Sequence, residues 1–68
     1  MTYLIQVESK NFCWIADIEG DPGRTLIRSN AKVFPNKNTA QLKLNKLRND
    51  YPNRRFFLEE NEYIETVV

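Results

Sequence analysis

One stretch of the chain, Ala31–Pro52, carries a convincing helical pattern, and it constrains the fold more than any other feature. Within it, apolar residues recur at spacings of four, three and four: Ala40, Leu44, Leu47 and Tyr51. This spacing places them on one stripe of an α-helix, which we expect to face a sheet. Asn36 is the predicted N-cap, because its side chain can accept from a free backbone N–H of the first turn. Pro52 ends the helix, since the residue before a proline avoids the helical conformation.

The rest of the chain is predicted to form short strands and turns. Alternation of apolar and polar side chains predicts strands at Tyr3–Glu8, Phe12–Ile18, Arg24–Ser29 and Arg54–Glu60, with Tyr63–Val68 as a candidate fifth, edge strand. Short links favour antiparallel neighbours among the first three strands. We therefore predict one α+β domain over residues 1–68. It has a small antiparallel sheet in the order strand-strand-strand-helix-strand, with one helix packed on one face.

Alternation along each strand also assigns its two faces. The face predicted to meet the helix includes Tyr3, Ile5, Val7, Trp14, Ala16, Phe56 and Leu58. The opposite face would then expose Cys13, Ile15 and Phe57, with Leu4 as a further candidate. An exposed apolar patch of this kind often marks a contact surface.

The side chains that carry chemistry argue against an enzyme. The chain has no histidine, the commonest general base, and Cys13 lies in a strand pattern typical of a small buried side chain. Carboxylates near Glu19 are spaced like the start of a calcium loop. However, Pro22 stands where that loop needs glycine, and Arg28 where it needs glutamate. One cysteine without histidine does not suit zinc either. We expect no catalytic residue, no metal and no cofactor.

The apolar segments are short, which bears on location. No apolar run approaches the ~20 residues of a membrane span. The first residues also lack the basic start and long apolar centre of a signal peptide. A single cysteine cannot form a disulfide within the chain. These features favour a cytoplasmic protein that does not bind a membrane.

Basic residues are concentrated around the helix, which makes nucleic-acid binding one of two interpretations. All of the 10 lysines and arginines except Lys10 lie between residues 22 and 55. The candidate contacts for nucleic acid are Lys43, Lys46, Arg48, Arg54 and Arg55, the last two followed by aromatic side chains that could stack on bases. Against this interpretation, the net charge is only +1 and glutamates follow at once in the last strand.

Protein binding is the interpretation that we favour. The helix stripe is committed to the sheet, so the free outer face of the helix is formed by Leu42, Lys43, Asn45, Lys46 and Asn49. This face is the first candidate for a partner. The sheet face around Ile15 and Phe57 is the second. The oligomeric state stays open, with a homodimer among the alternatives.

The helix and its approach carry a resemblance. Ala31-x-x-Phe34, Asn36-Lys37, Ala40-x-x-x-Leu44-x-x-Leu47 and Tyr51-Pro52, followed by a glutamate-rich strand, resemble short uncharacterised proteins of phages and prophages in low-GC Gram-positive bacteria such as staphylococci. The opening YLIQVESKNFCWIADIEG is similar to their first hairpin. The resemblance implies a non-enzymatic protein that binds a host, defence or regulatory protein and blocks or redirects it. The shared motif is structural, so it assigns no site residue.

Overall fold

The computed structural model describes residues 2–8, 12–20 and 22–61, which form a four-stranded antiparallel sheet with a helix on one face. The strands are β1 (Thr2–Val7), β2 (Cys13–Ile15), β3 (Arg24–Thr25) and β4 (Phe56–Asn61), arranged in the order β3-β2-β1-β4. Helix α1 (Lys37–Asp50) packs against β1 and β4. The predicted α+β class is therefore confirmed. No helix in the described part of the chain has the length and apolar character needed to cross a membrane.

Helix α1 begins and ends close to the predicted residues. The Asn36 Oδ1 accepts from the Thr39 N–H at 2.9 Å, which satisfies one of the donors that the first helical turn leaves free. At the other end the Tyr51 N–H donates to the Leu47 carbonyl at 2.8 Å, and Pro52 follows. The predicted stripe faces the sheet: Ala40, Leu44 and Leu47 are buried and Tyr51 is half-buried.

The core forms where this stripe meets the sheet. Its buried members are Ile5, Val7, Cys13, Ile15, Phe34, Ala40, Leu44, Leu47 and Phe56, with Tyr3, Tyr51 and Leu58 at the margin. Burial of one large apolar side chain of this kind contributes about 1.5–3 kcal/mol to the free energy of unfolding. Most of the buried apolar side chains therefore lie on the side of the sheet that α1 covers.

The faces predicted for β2 are wrong, and its register with β1 shows why. Cys13 is the partner of Val7, and Trp14 is the partner of Gln6. Since partners in a sheet share a face, Cys13 points toward the helix with Val7, whereas Trp14 lies on the opposite face. Ile15 follows the same alternation as Cys13 and is only 4% exposed. Neither Cys13 nor Ile15 is therefore available on an open sheet face.

Residues 31–34 extend the sheet where β2 ends. The Lys32 N–H donates to the Ile15 carbonyl at 2.8 Å. Phe34 then exchanges two backbone hydrogen bonds with Tyr3, at 2.8 and 2.9 Å. This pairing holds Phe34 beside β1 with its side chain in the core, and it leads the chain directly into the cap of α1.

We call the face of the sheet opposite the helix the second face. It is only partly open to solvent. Leu4 points to this face but is 1% exposed, because the chain around Arg28 and Val33 passes beside it. The expectation that Leu4 is an exposed candidate is therefore wrong. Gln6, Trp14 and Phe57, farther along the strands, keep more of their surface.

Two strands are shorter than their alternation predicts. β2 keeps three residues and β3 keeps two, and the chain then enters a 3₁₀ turn at Arg28–Asn30. In that turn the Asn30 N–H donates to the Ile27 carbonyl at 2.9 Å. The predicted edge strand Tyr63–Val68 lies outside the described residues.

Candidate protein-binding site

A groove runs between α1 and the loop that joins β2 to β3. We call it the loop–helix groove, and its volume is about 870 Å³. One wall is formed by residues 16–20 and 22–23, and the other by Lys43, Lys46, Leu47, Asp50 and Tyr51 of the helix side. The buried Ile15 and Phe34 also line it, and Lys32 borders it. Binding pockets in proteins have volumes of roughly 300–1,000 Å³, so the groove has room for several side chains of a partner.

The loop wall is anchored at Gly23. The Ala16 N–H donates to the Gly23 carbonyl at 3.0 Å, which closes the loop at its base. A Cβ added at Gly23 would lie 2.0 Å from the Ile18 carbonyl oxygen, so this approach has room only for glycine. Pro22 is buried beside it. The closed loop presents Ile18 to the groove with 58% of the residue exposed.

The charges of the groove are unevenly paired. The Lys32 Nζ lies 2.7 Å from the Asp17 Oδ2, so these two charges neutralise each other. Lys43 and Lys46 stand on the helix wall, and among the described residues no carboxylate oxygen lies within 4.0 Å of either ammonium group. Glu19 and Asp50 also border the groove, and no lysine or arginine of the described ranges forms an ion pair with either carboxylate at that distance. The groove thus offers charges of both signs beside an exposed apolar residue.

The outer face predicted for the helix is divided by this groove. Lys43 and Lys46 border the groove, whereas Leu42, Asn45 and Asn49 face solvent. Leu42 is 72% exposed, and the Asn45 Oδ1 accepts from the Gln41 Nε2 at 3.0 Å. The two lysines therefore belong to a concave site, while the remaining members form a mostly polar convex surface.

The second face carries one of the two residues predicted for the sheet surface. Phe57 lies there and is 43% exposed, whereas Ile15 is in the core. Gln6 is the strand partner of both Trp14 and Phe57, so these three side chains form a row across the sheet. The Glu59 carboxylate accepts from the Trp14 Nε1 at 3.4 Å and from the Arg28 guanidinium at 2.9 Å.

The basic residues proposed for nucleic acid do not share one surface. Lys43 and Lys46 border the groove, which also contacts β2, while Arg48 donates to the Phe56 carbonyl of β4 at 3.1 Å. β2 and β4 are separated by β1 in the sheet. Arg55 is 3.5 Å from the Glu8 carboxylate. Arg54 is exposed in the turn before β4. Two of the candidate arginines thus already bind groups of the fold.

The described residues also bear on metal binding. They contain no group of three or more His, Cys, Asp or Glu side chains placed to hold a metal ion. The Cys13 Sγ is buried and lies 3.6 Å from the Val7 carbonyl oxygen, which it reaches as a donor.

Of the residues that line the groove, only Ile15, Lys43 and Lys46 were predicted as site residues; Ile18, Tyr51 and Lys32 are among those that sequence reasoning missed. The alternation predicts Ile18 as the last residue of a long second strand, and the helical spacing predicts Tyr51 as a member of the core stripe alone. The distance between the β2–β3 loop and the helix depends on how this loop folds back. The alternation of apolar and polar residues along a strand does not predict that. The available signal was the turn at Gly20 and Gly23, which predicts a tight loop but not its position over the helix.

Comparison of the chain with protein-family models, curated proteins and solved structures gives no significant match.

Proposed function

We propose that the protein is a non-enzymatic interaction protein of phage origin that binds a host, defence or regulatory protein and blocks or redirects it. Phage origin is supported by the sequence resemblance, since the helix approach and its stripe carry that pattern. The proposed binding site is the loop–helix groove, and the partner contributes a protein segment that lies in it.

The observation that carries this proposal is the combination of Ile18 with Lys43 and Lys46 in one concave site. The Ile18 side chain can contact an apolar residue of the partner. The two ammonium groups, which have no carboxylate within 4.0 Å among the described residues, can donate to a carboxylate of the same segment. A segment with an apolar residue next to an acidic one therefore fits the groove better than a uniformly charged ligand.

The experiment is a quantitative pull-down from a Gram-positive host lysate with three forms of the full chain. The groove variant is Lys43→Glu with Lys46→Glu. Its matched control is Lys37→Glu with Arg54→Glu, which makes the same charge change at exposed positions outside the groove. Circular dichroism first confirms that each form has the helical signal of the wild type.

We expect the wild type and the control to retain one protein in stoichiometric amount, and the groove variant to lose at least about nine tenths of it. A tenfold loss corresponds to about 1.4 kcal/mol, which is reasonable when two attractive contacts become repulsive. If no form captures a stoichiometric protein, the proposal fails. If all three forms capture it equally, the groove is not the site.

The same variants test the nucleic-acid interpretation. Phosphate contacts by Lys43 and Lys46 would make affinity fall steeply with salt and would be lost in the groove variant. We expect the electrophoretic mobility of single-stranded DNA and RNA to be unchanged by the wild type at low salt. A mobility shift by the wild type at low salt that the groove variant abolishes would favour nucleic acid over a protein partner.

A further inference from the structure

The second face carries two aromatic side chains, Trp14 and Phe57, between charged groups. These two side chains lie on either side of Gln6 in the row Trp14–Gln6–Phe57, which is set by the register of β1 with both neighbouring strands. Aromatic side chains are enriched in protein interfaces, and polar and charged groups surround them at the rim. This face lies on the other side of the sheet from α1 and the core.

Two ion pairs lie on opposite sides of this row. On one side, the Arg55 guanidinium is 3.5 Å from the Glu8 carboxylate. On the other, the Arg28 guanidinium is 2.9 Å from the Glu59 carboxylate. The Glu8 N–H donates to the Arg55 carbonyl at 3.0 Å, which continues the β1–β4 ladder by one residue pair. Every second residue along this strand therefore points to the second face, at intervals of about 7 Å. These residues are Arg55, Phe57 and Glu59.

The charge changes sign from one end of this line to the other. Arg55 is positive, Phe57 is neutral and Glu59 is negative. A rotation of 180° about the Trp14–Gln6–Phe57 row places a second copy face to face with the first. Arg55 then faces the second copy's Glu59, and Glu8 lies at the end that carries the second copy's Arg28. The aromatic rows meet at the centre.

We infer that the second face is a two-fold symmetric interface between two copies of this chain. Its charge pattern is complementary to itself, as an interface between identical surfaces requires. Two sheets packed face to face are a stable arrangement in β-sandwiches, with an apolar layer between them. The dimer has its sheets inside and its helices outside, so each loop–helix groove stays open to a partner. The inference is independent of the proposed function.

The first test is sedimentation equilibrium of the full wild-type chain, whose monomer mass is 8.1 kDa. We expect a concentration-dependent transition to a species of twice that mass. Dimer formation is also expected to change the fluorescence of Trp14, the single tryptophan, over the same concentration range. The inference is overturned if the wild type stays at the monomer mass up to about 1 mM, because a stable interface has a dissociation constant below that concentration.

The second test is a charge exchange at Arg55 and Glu59. Arg55→Glu alone and Glu59→Arg alone each bring like charges together across the two-fold axis. Each is therefore expected to raise the dimer dissociation constant about tenfold or more. The double variant restores opposite charges between copies but puts like charges together within each copy, near Glu8 and Arg28. Recovery of dimerisation in the double variant supports the interface.

A double variant that dimerises no better than the single variants overturns the interface. The exposed convex side of α1 supplies the control. Leu42→Ala, which truncates a side chain on that surface, should leave the dissociation constant within about twofold of the wild type. Circular dichroism of each variant separates loss of association from loss of fold.

Discussion

The contact at Gly23 leaves no room for a side chain. A Cβ there would lie 2.0 Å from the Ile18 carbonyl oxygen and 2.9 Å from the Ala16 carbonyl oxygen. Both are backbone atoms, which cannot move away as the end of a flexible side chain can. The Gly23→Ala variant must therefore open the base of the loop.

We expect Gly23→Ala to lower the free energy of unfolding by more than about 1 kcal/mol, measured by urea denaturation. Glu19→Ala, an exposed change in the same loop, is the control and should stay within about 0.5 kcal/mol of the wild type. Equal stability of Gly23→Ala and the wild type would show that Gly23 does not lie as close to the Ile18 carbonyl as described.

At the scale of the elements, α1 shows how far the sequence could predict the structure. Its cap at Asn36, its end before Pro52 and its buried stripe were predicted because each depends on neighbours in the chain. The groove was not, because it depends on how a distant loop lies against the helix. The helical spacing predicts Lys43 and Lys46 on the free outer face of the helix, and the structure adds the opposite wall of the groove.

The face of β2 could not be predicted because both sets of its alternating side chains are apolar. Cys13 and Ile15 form one set, and Trp14 with Ala16 forms the other. Burial alone does not decide between two apolar sets, and a shift of register by one residue exchanges them. The pairing of Val7 with Cys13 places Cys13 and Ile15 on the helix side of the sheet. The Trp14 Nε1 finds an acceptor, Glu59, on the opposite face.

Two leucines of the helix lie in different environments, one in the core and one at the surface. Leu44 is 3% exposed and belongs to the core, whereas Leu42 is 72% exposed. We expect Leu44→Ala to lower the free energy of unfolding by about 2–5 kcal/mol, because it removes buried apolar surface and leaves a cavity. Leu42→Ala should change it by less than about 0.5 kcal/mol. Urea denaturation of both variants compares them directly, and similar losses would contradict the assigned helix face.

At the scale of the whole molecule, the two surfaces lie on different sides of the sheet. The loop–helix groove lies on the helix side, whereas the row Trp14–Gln6–Phe57 lies on the second face. The proposed partner in the groove and the proposed second copy on the second face would therefore not overlap. A dimer of this kind presents two grooves, and a partner that is itself multivalent would bind it with higher avidity than one groove alone allows.

The central claim, that a partner protein lies in the loop–helix groove, is tested most directly by photocrosslinking from its wall. A photoreactive phenylalanine analogue replaces Ile18 in one form and Leu26 in another. Both positions are exposed, and only Ile18 lines the groove. After irradiation in a Gram-positive host lysate, we predict one discrete adduct from position 18 that Lys43→Glu with Lys46→Glu removes, and none from position 26. No adduct from position 18, or the same adduct from both positions, would contradict the account.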